Sequence, residues 1–199
     1  MFFVSNFKRI NKNLKRLYYK NYINGISSHL TNDEKIELYL LSKNNKYNII
    51  VEIGAYLGAS SCCLAEGLVN KKNAILYSVD TWQNDAMSEG NRDTYNEFKE
   101  NTKKYEDKII EVRGWSYDVV DVIKSINKPI DLLFIDGDHS YEGVKKDWDL
   151  YSPMLTSNSL VVFHDYGWAE GVQKVVHEDV IPLISKHKSL PNMWWGWIK

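Results

Sequence analysis

The order of apolar and polar positions divides the chain into alternating strand-like and helix-like segments. Nearly continuous apolar runs occupy residues 47–54, 74–80, 108–114, 130–136 and 159–165. Between and after them, apolar residues recur three and four positions apart, which indicates helices. The tail MWWGWIK, residues 193–199, predicts a final strand. Strands that alternate with helices and are apolar on both faces predict an α/β fold whose mostly parallel sheet is covered by helices on both sides.

The segment before the first strand predicts two helices. Residues 1–20 carry six Lys or Arg and no acid, and their apolar residues step by four and three. This amphipathic basic helix is expected to pack on its own domain or on a second copy of the chain, giving a homo-oligomer; contact with an anionic surface and disorder are the alternatives. Thr31 and Glu34 form a capping-box signature for a second helix. We therefore divide the chain into an N-terminal helical extension, residues 1–45, and a domain of residues 46–199.

Composition narrows the classes of function. Hydrophobic residues make up 44% and charged residues 26% of the 199 residues, as in ordinary globular domains. The formal net charge of −1 argues against a nucleic-acid partner. No apolar run is long enough for a transmembrane segment, and the start lacks the pattern of a signal peptide. Cys62 and Cys63 lie in an apolar helical pattern, which predicts buried reduced thiols and favours a cytoplasmic location.

The turn after the first strand is a candidate ligand site, because ligands of open parallel sheets bind beyond the carboxyl ends of the strands. In VEIGAYLGAS, Gly54 and Gly58 would let a ligand lie against bare backbone, and Glu52 could hold a cationic or hydroxyl-bearing part of it. A phosphate-binding loop would need lysine where Ala59 stands, and a dinucleotide fingerprint would need glycine where Tyr56 stands. A plain βα turn with a glycine hinge is the alternative.

The second and third strand ends are candidates for the rest of a nucleoside. Asp80 ends the second strand, where such folds bind ribose hydroxyls; a helix cap or solvated turn is the alternative. Trp115 and Ser116 follow the third strand and could flank an adenine ring, although Ser116 could instead be a helix N-cap. The polar segment 81–95 predicts a mobile loop over the substrate.

The fourth and fifth strand ends predict a metal site. Asp136 ends the fourth strand, and His164 and Asp165 end the fifth. If these strands are neighbours about 4.8 Å apart, their end residues converge on one place. Two carboxylates and an imidazole there call for a cation, and mostly oxygen donors favour Mg²⁺ or Mn²⁺, with the imidazole favouring Mn²⁺ or a later metal. Asp165 as a cap for the next helix is the alternative.

Four motifs, VEIGAYLGAS, YSVDTW, IDGDHSYEGVKKDWDLY and VVFHDY, resemble those of class I S-adenosylmethionine-dependent methyltransferases. More narrowly, they resemble small metal-dependent O-methyltransferases of the macrocin and cephalosporin-hydroxylase type, over about residues 46–199. The resemblance implies a Rossmann-like sheet of seven strands with an antiparallel last strand, and S-adenosylmethionine as cofactor. It also implies that Glu52, Gly54, Gly58 and Asp80 contact the cofactor. The full set of candidate cofactor-binding residues adds Ser60, Trp115, Ser116 and Asp136.

The expected reaction is O-methylation of a small-molecule hydroxyl, such as that of a sugar or glycoside. A metal would lower the pKa of the hydroxyl, and a base would take its proton. The resemblance favours Asp138 as that base, with His139 second; either could instead belong to the turn or cap the next helix, or His139 could hold substrate. Trp82 and Trp168 are candidate walls of the substrate pocket. The alternatives are a nicotinamide-dependent oxidoreductase on a similar sheet and a non-catalytic module that binds a nucleotide cofactor.

Overall fold

A computed structural model describes residues 25–84 and 90–199, which fold around one seven-stranded sheet. The strands are β1 (Ile49–Ile53), β2 (Ile75–Asp80), β3 (Ile109–Arg113), β4 (Ile130–Ile135), β5 (Leu155–His164), β6 (Ile184–Leu190) and β7 (Met193–Ile198). Their order in the sheet is β3-β2-β1-β4-β5-β7-β6. The first five strands pair in parallel, and β7 pairs antiparallel to both β5 and β6. The predicted mostly parallel sheet with an antiparallel C-terminal strand is therefore confirmed.

Helices follow the strands as the apolar pattern predicts. They are α1 (Asn32–Ser42), α2 (Ala59–Leu68), α3 (Tyr95–Thr102), α4 (Ser116–Lys124), α5 (Tyr141–Tyr151) and α6 (Glu170–Val175). After α6 the chain continues through a π-helical turn, Val176–Val180, and a 3-10 turn, Ile181–Leu183. Pro182 lies in this last turn, directly before β6, as expected of a residue that cannot continue a helix. None of the helices in the described ranges is both long and apolar enough to cross a membrane.

The sheet separates two apolar cores. On one face, Ile50 packs with residues of α1 and α2, among them the buried free thiols of Cys62 and Cys63. On the other face, Val51 and Ile53 pack with α4, α5 and α6. Since successive strand residues point to opposite faces, every residue of β1 is buried. This two-sided burial explains the continuous apolar runs, and the thiols are buried and unpaired as predicted.

Helix α1 begins with the predicted capping box. The Glu34 amide donates to Thr31 Oγ1 over 3.3 Å, and the Thr31 amide donates to Glu34 Oε2 over 2.8 Å. Buried Leu38 then joins α1 to the core that contains α2. The basic helix predicted for residues 1–20 lies outside the described residues, and the boundary at residue 45 stays a prediction.

Strand β6 has no counterpart among the apolar runs. Lys186, His187 and Lys188 are exposed, and β6 is the last strand of the sheet. Lysines on an exposed edge strand hinder pairing with a further chain, so such a strand is polar where an interior strand is apolar. Periodicity alone therefore could not identify it.

Candidate active site

The glycine turn after β1 lies against the turn after β4, at the point where the strand order reverses. Gly54 has φ +87°, and its amide donates to Val79 O over 2.9 Å. A Cβ added at Gly54 would overlap the carbonyl oxygen of Asp136. The sequence predicted a close backbone approach at Gly54, and the backbone that approaches is that of Asp136. In open α/β sheets the ligand crevice lies at this reversal, here between β1 and β4.

Asp80 fastens the glycine turn to the end of β2. Its Oδ2 accepts hydrogen bonds from the amides of Ala55 at 2.7 Å and Tyr56 at 2.8 Å, and its Oδ1 accepts one from Trp82 at 2.6 Å. A carboxylate has about four acceptor sites, so about one remains. Asp80 thus lies beside the crevice as predicted, while its contact with ribose stays a prediction.

Glu52 lies beneath the turn, with 0% of its surface exposed. The hydroxyls of Ser61 and Ser78 donate to its Oε2 over 2.5 and 2.8 Å, and Ser60 also interacts with the carboxylate. Its Oε1 has no hydrogen-bond partner among the described residues. Burial raises the pKa of Glu52 to about 7, although the three serine hydroxyls oppose the rise. Two of the candidate cofactor-binding residues, Glu52 and Ser60, thus interact with each other beneath the glycine turn.

Gly58 precedes α2 with φ +88° and packs against α3. A Cβ at Gly58 would lie 2.6 Å from Thr102 Cγ2. The side-chain Nδ2 of Asn101 donates to the Leu57 carbonyl over 2.9 Å, so α3 holds the end of the glycine turn. The left-handed backbone and this close packing both require glycine here.

Trp115 and Ser116 stand at the start of α4. Trp115 is 45% exposed and stacks on Tyr117 with ring centroids 5.9 Å apart. Helix α4 begins at Ser116, so Trp115 occupies the N-cap position that the alternative assigned to Ser116. The Ser116 hydroxyl instead donates to the buried carboxylate of Asp147 on α5. Asp147 was not among the predicted site residues, because inside a helical pattern nothing marks one acid as buried.

The ends of β4 and β5 bring acids and imidazoles together, as predicted. His164 Nδ1 lies 3.0 Å from Asp136 Oδ1 and 3.3 Å from Asp165 Oδ1. His139 Nε2 lies 2.7 Å from Asp165 Oδ2. The carboxylate of Asp165 raises the pKa of His139, whose burial opposes the rise. Among the described residues, Asp136, His139 and Asp165 each offer one ligand atom, and these atoms lie within 4.8 Å of one another.

Both nitrogens of His164 face other groups, and its role as a metal ligand stays a prediction. Nδ1 faces Asp136 and Asp165, and Nε2 lies 3.6 Å from Glu34 Oε2 on α1. Burial opposes protonation of His164, but the surrounding carboxylates outweigh it and raise the pKa to about 12. Consecutive strand residues point to opposite faces, so His164 enters the core beside α1 while Asp165, at φ +56°, turns toward His139. The geometry therefore groups His139, rather than His164, with the two aspartates.

Asp165 is held from a second side by residues that sequence reasoning did not connect with it. Asn192, in the turn between β6 and β7, donates to Asp165 Oδ1 over 2.9 Å. Trp168 Nε1 donates to the same oxygen over 2.8 Å. Despite burial, the hydrogen bonds from His139, His164 and Asn192 keep the pKa of Asp165 below its usual range. Asparagine in a hairpin turn gives no sign of such a contact.

The two tryptophans proposed as pocket walls have different environments. Trp168 is 60% exposed, and its ring lies edge-on to His139 at 5.0 Å, which is consistent with a wall of the site. Trp82 is fully buried between Tyr95 and Phe98, at centroid distances of 5.1 and 4.7 Å. The prediction for Trp82 was therefore wrong: it anchors the start of the 81–95 segment in the core. Residues 85–89 of that segment lie outside the described residues.

Asp138 lies in the turn before α5, on the surface. Its Oδ1 accepts from the Ser140 amide over 2.7 Å, and Gly143 leaves no room for a Cβ beside its carboxylate. Ser140 is the N-cap of α5 and accepts from the Gly143 amide. This local bond matches the turn alternative for Asp138. Its role as the base stays a prediction.

Sequence comparison relates the segment that carries this site to known proteins. A sequence model of the family described as a methyltransferase domain matches residues 51–166, from β1 to just past the end of β5. Among curated proteins, the uncharacterized protein R132 of Acanthamoeba polyphaga mimivirus is 30% identical over 138 residues, which cover 65% of this chain. That match spans only 58% of the relative's own length.

Solved structures share the fold. An O-methyltransferase from Bacillus cereus in complex with SAH superposes with a TM-score of 0.67 at 14% identity, covering 94% of this chain and 91% of that one. CalS11, described as a TDP-rhamnose 3'-O-methyltransferase of calicheamicin biosynthesis, gives a TM-score of 0.64 at 16% identity, covering 89% of this chain and 84% of that one. At such identities the likeness establishes the architecture.

Proposed function

We propose, since the chain belongs to the methyltransferase-domain family, that it transfers the methyl group of S-adenosylmethionine to a hydroxyl of a small molecule. The observation that carries the proposal is the meeting of Asp136, His139 and Asp165 beside the crevice that the glycine turn borders. The crevice lies where open α/β sheets bind nucleotide cofactors. The Bacillus cereus structure of the same fold contains SAH, which supports this choice of cofactor.

We propose that a divalent cation assists the reaction. Two carboxylates and one imidazole within 4.8 Å form a donor set that suits Mn²⁺, and Mg²⁺ less well. A cation bound there would lower the pKa of the acceptor hydroxyl and fix its position. His164 and Asn192 stand behind the set and orient Asp136 and Asp165 through hydrogen bonds, as groups behind a metal site commonly do.

We assign Asp138 as the base that takes the proton of the acceptor hydroxyl, with His139 as the second candidate. Asp138 is exposed, and within the described ranges its Oδ1 alone accepts a hydrogen bond, from the Ser140 amide. His139 has the stronger claim as a ligand, since its Nε2 already points at Asp165. In this arrangement Asp138 takes the proton while the methyl group passes in line from sulfur to oxygen.

A sugar or glycoside is the proposed acceptor class. The exposed ring of Trp168 stands beside His139, and aromatic faces suit the apolar faces of sugar rings. CalS11, which has the same fold, is described as acting on TDP-rhamnose. The homo-oligomer through the N-terminal helix and the cytoplasmic location stay predictions.

Binding and turnover test the proposal separately. Calorimetry should detect S-adenosylhomocysteine binding, and SAH release from S-adenosylmethionine should depend on Mn²⁺ with some member of a panel of nucleotide sugars and glycosides. Asp136→Asn should abolish this activity and the Mn²⁺ binding seen by electron paramagnetic resonance, because the cluster loses a charged ligand. Asp149→Asn, an exposed change on α5, is the control. Equal turnover in chelator and in Mn²⁺ would contradict the metal role, and cofactor binding without turnover would indicate a non-catalytic module.

A further inference from the structure

Asp147 is a buried carboxylate that the proposed methyl transfer does not use. It lies on α5 with 5% of its surface exposed. The Ser116 hydroxyl donates to its Oδ1, and the Tyr151 hydroxyl donates to the Ser116 carbonyl over 2.8 Å. These bonds tie the start of α4 to the middle of α5. They fix the orientation of the carboxylate and leave Oδ2 as its second acceptor.

Oδ2 of Asp147 accepts no hydrogen bond from the described part of the chain. Oδ2 is not among the fully buried side-chain atoms of the described residues that lack a partner, so this oxygen is open at the surface of the crevice. Burial raises the pKa of Asp147 to about 6, with the Ser116 hydroxyl opposing the rise. The carboxylate thus has one oxygen held by Ser116 and a second that a ligand donor could reach.

The oxygen lies at the edge of the cofactor crevice. A Cβ built on Gly137 would lie 3.6 Å from Asp147 Oδ2, and Gly137 is the second residue after β4. Ser116, the other contact of Asp147, begins α4 just after β3. The Gly114 amide donates to the Asp80 carbonyl over 2.9 Å, so the turn after β3 adjoins the proposed ribose site. A nucleoside whose ribose reaches Asp80 would place its base between Ser116 and Gly137.

We infer that Asp147 Oδ2 accepts a hydrogen bond from the exocyclic amino group of the cofactor's adenine, with Ser116 holding the carboxylate in place. The inference rests on the proposed cofactor. It makes Asp147 a residue that selects a 6-aminopurine. A 6-oxopurine would present a carbonyl oxygen to the same carboxylate, two acceptors would face each other, and binding would weaken.

The test compares S-adenosylhomocysteine with S-inosylhomocysteine, its 6-oxo analogue, by isothermal titration calorimetry. The unchanged protein should prefer the adenine compound by about 30-fold or more, as expected when a site's buried acceptor loses its donor. Asp147→Asn should reduce the preference to within about fivefold, because the amide can accept from an amine or donate to a carbonyl. Asp149→Asn, an exposed acid on the same helix, should keep the full preference.

Each outcome decides the matter. If Asp147 only ties α4 to α5, Asp147→Asn weakens both ligands equally and the preference stays, which overturns the inference. A preference near one in the unchanged protein also overturns the inference. Because this comparison needs no variant, it stays decisive even if Asp147→Asn does not fold. If S-adenosylhomocysteine does not bind the unchanged protein at all, the proposed function falls as well. If it binds with an unaltered preference in Asp147→Asn, only the role of Asp147 falls.

Discussion

Replacing Glu52 by glutamine should remove a pH-dependent loss of stability that this buried carboxylate imposes on the fold. Burial raises the pKa of Glu52 from its usual 4.5 to about 7. A difference of about 2.5 in pKa between the unfolded and folded chain corresponds to about 3 kcal/mol. The folded chain holds the proton more tightly, so full stability is present below pH 4.5 and is lost as the pH rises toward 7. Between pH 5 and pH 8 the expected loss is about 2.5 kcal/mol.

The measurement is the free energy of unfolding in urea at pH 5, 6, 7 and 8, for the wild-type chain and for Glu52→Gln. Glutamine leaves buried amide hydrogens that need partners. The free energy of unfolding of the variant is therefore lowered by an amount that does not depend on pH. The difference between the two proteins cancels the other titrating groups and isolates Glu52. Glu142→Gln, an exposed change on α5, should run parallel to the wild type. Parallel curves for Glu52→Gln would refute the reasoning, because the carboxylate would then ionise as freely as in water.

Two further predictions concern the glycine turn. Gly54→Ala should destabilise the chain by at least about 2 kcal/mol in urea, since its Cβ would overlap the Asp136 carbonyl at a φ of +87°. Gly90→Ala has the same φ with open space around it and should cost only about 1 kcal/mol, so equal losses would deny the clash. Asp80→Asn should weaken S-adenosylhomocysteine binding about tenfold or more in calorimetry, because an amide cannot accept from both turn amides and ribose. Unchanged affinity would place Asp80 outside the cofactor site.

Two-sided burial is what made the sheet predictable from sequence. Strands such as β1 and β4 lie between helices on both faces, so nearly every position is apolar and the run stands out. Strand β6 lies at the sheet edge, where Lys186 and Lys188 face solvent, and its pattern resembles that of a loop. Helix signals that depend on neighbours in sequence, such as the Thr31 capping box, were also predictable because the interacting groups are three residues apart.

The candidate site was predictable only as far as strand ends define it. Asp136 and Asp165 were found because adjacent parallel strands bring their ends together. Which of the two histidines joins them depends on the left-handed backbone at Asp165 and on the packing of α1, and neither has a local signature. The position of Asp147 beside Ser116 depends on the packing of α5 against α4, which sequence periodicity does not describe.

The charges around His164 bear on the proposed cation beside it. Glu34 and Asp165 have pKa values held below their usual range, and Asp136 faces the same ring, so three carboxylates surround one imidazolium. With all three carboxylates ionised and His139 neutral, as a metal ligand must be, the group carries a charge of −2, which burial makes costly to leave unbalanced. Burial raises the pKa of Asp136, His164 opposes the rise, and the charge of Asp165 adds to it. A proton on Asp136 would offset half of that charge, whereas a divalent cation between Asp136, His139 and Asp165 would offset all of it. The same packing that surrounds His164 with carboxylates therefore supports the proposed cation between Asp136, His139 and Asp165.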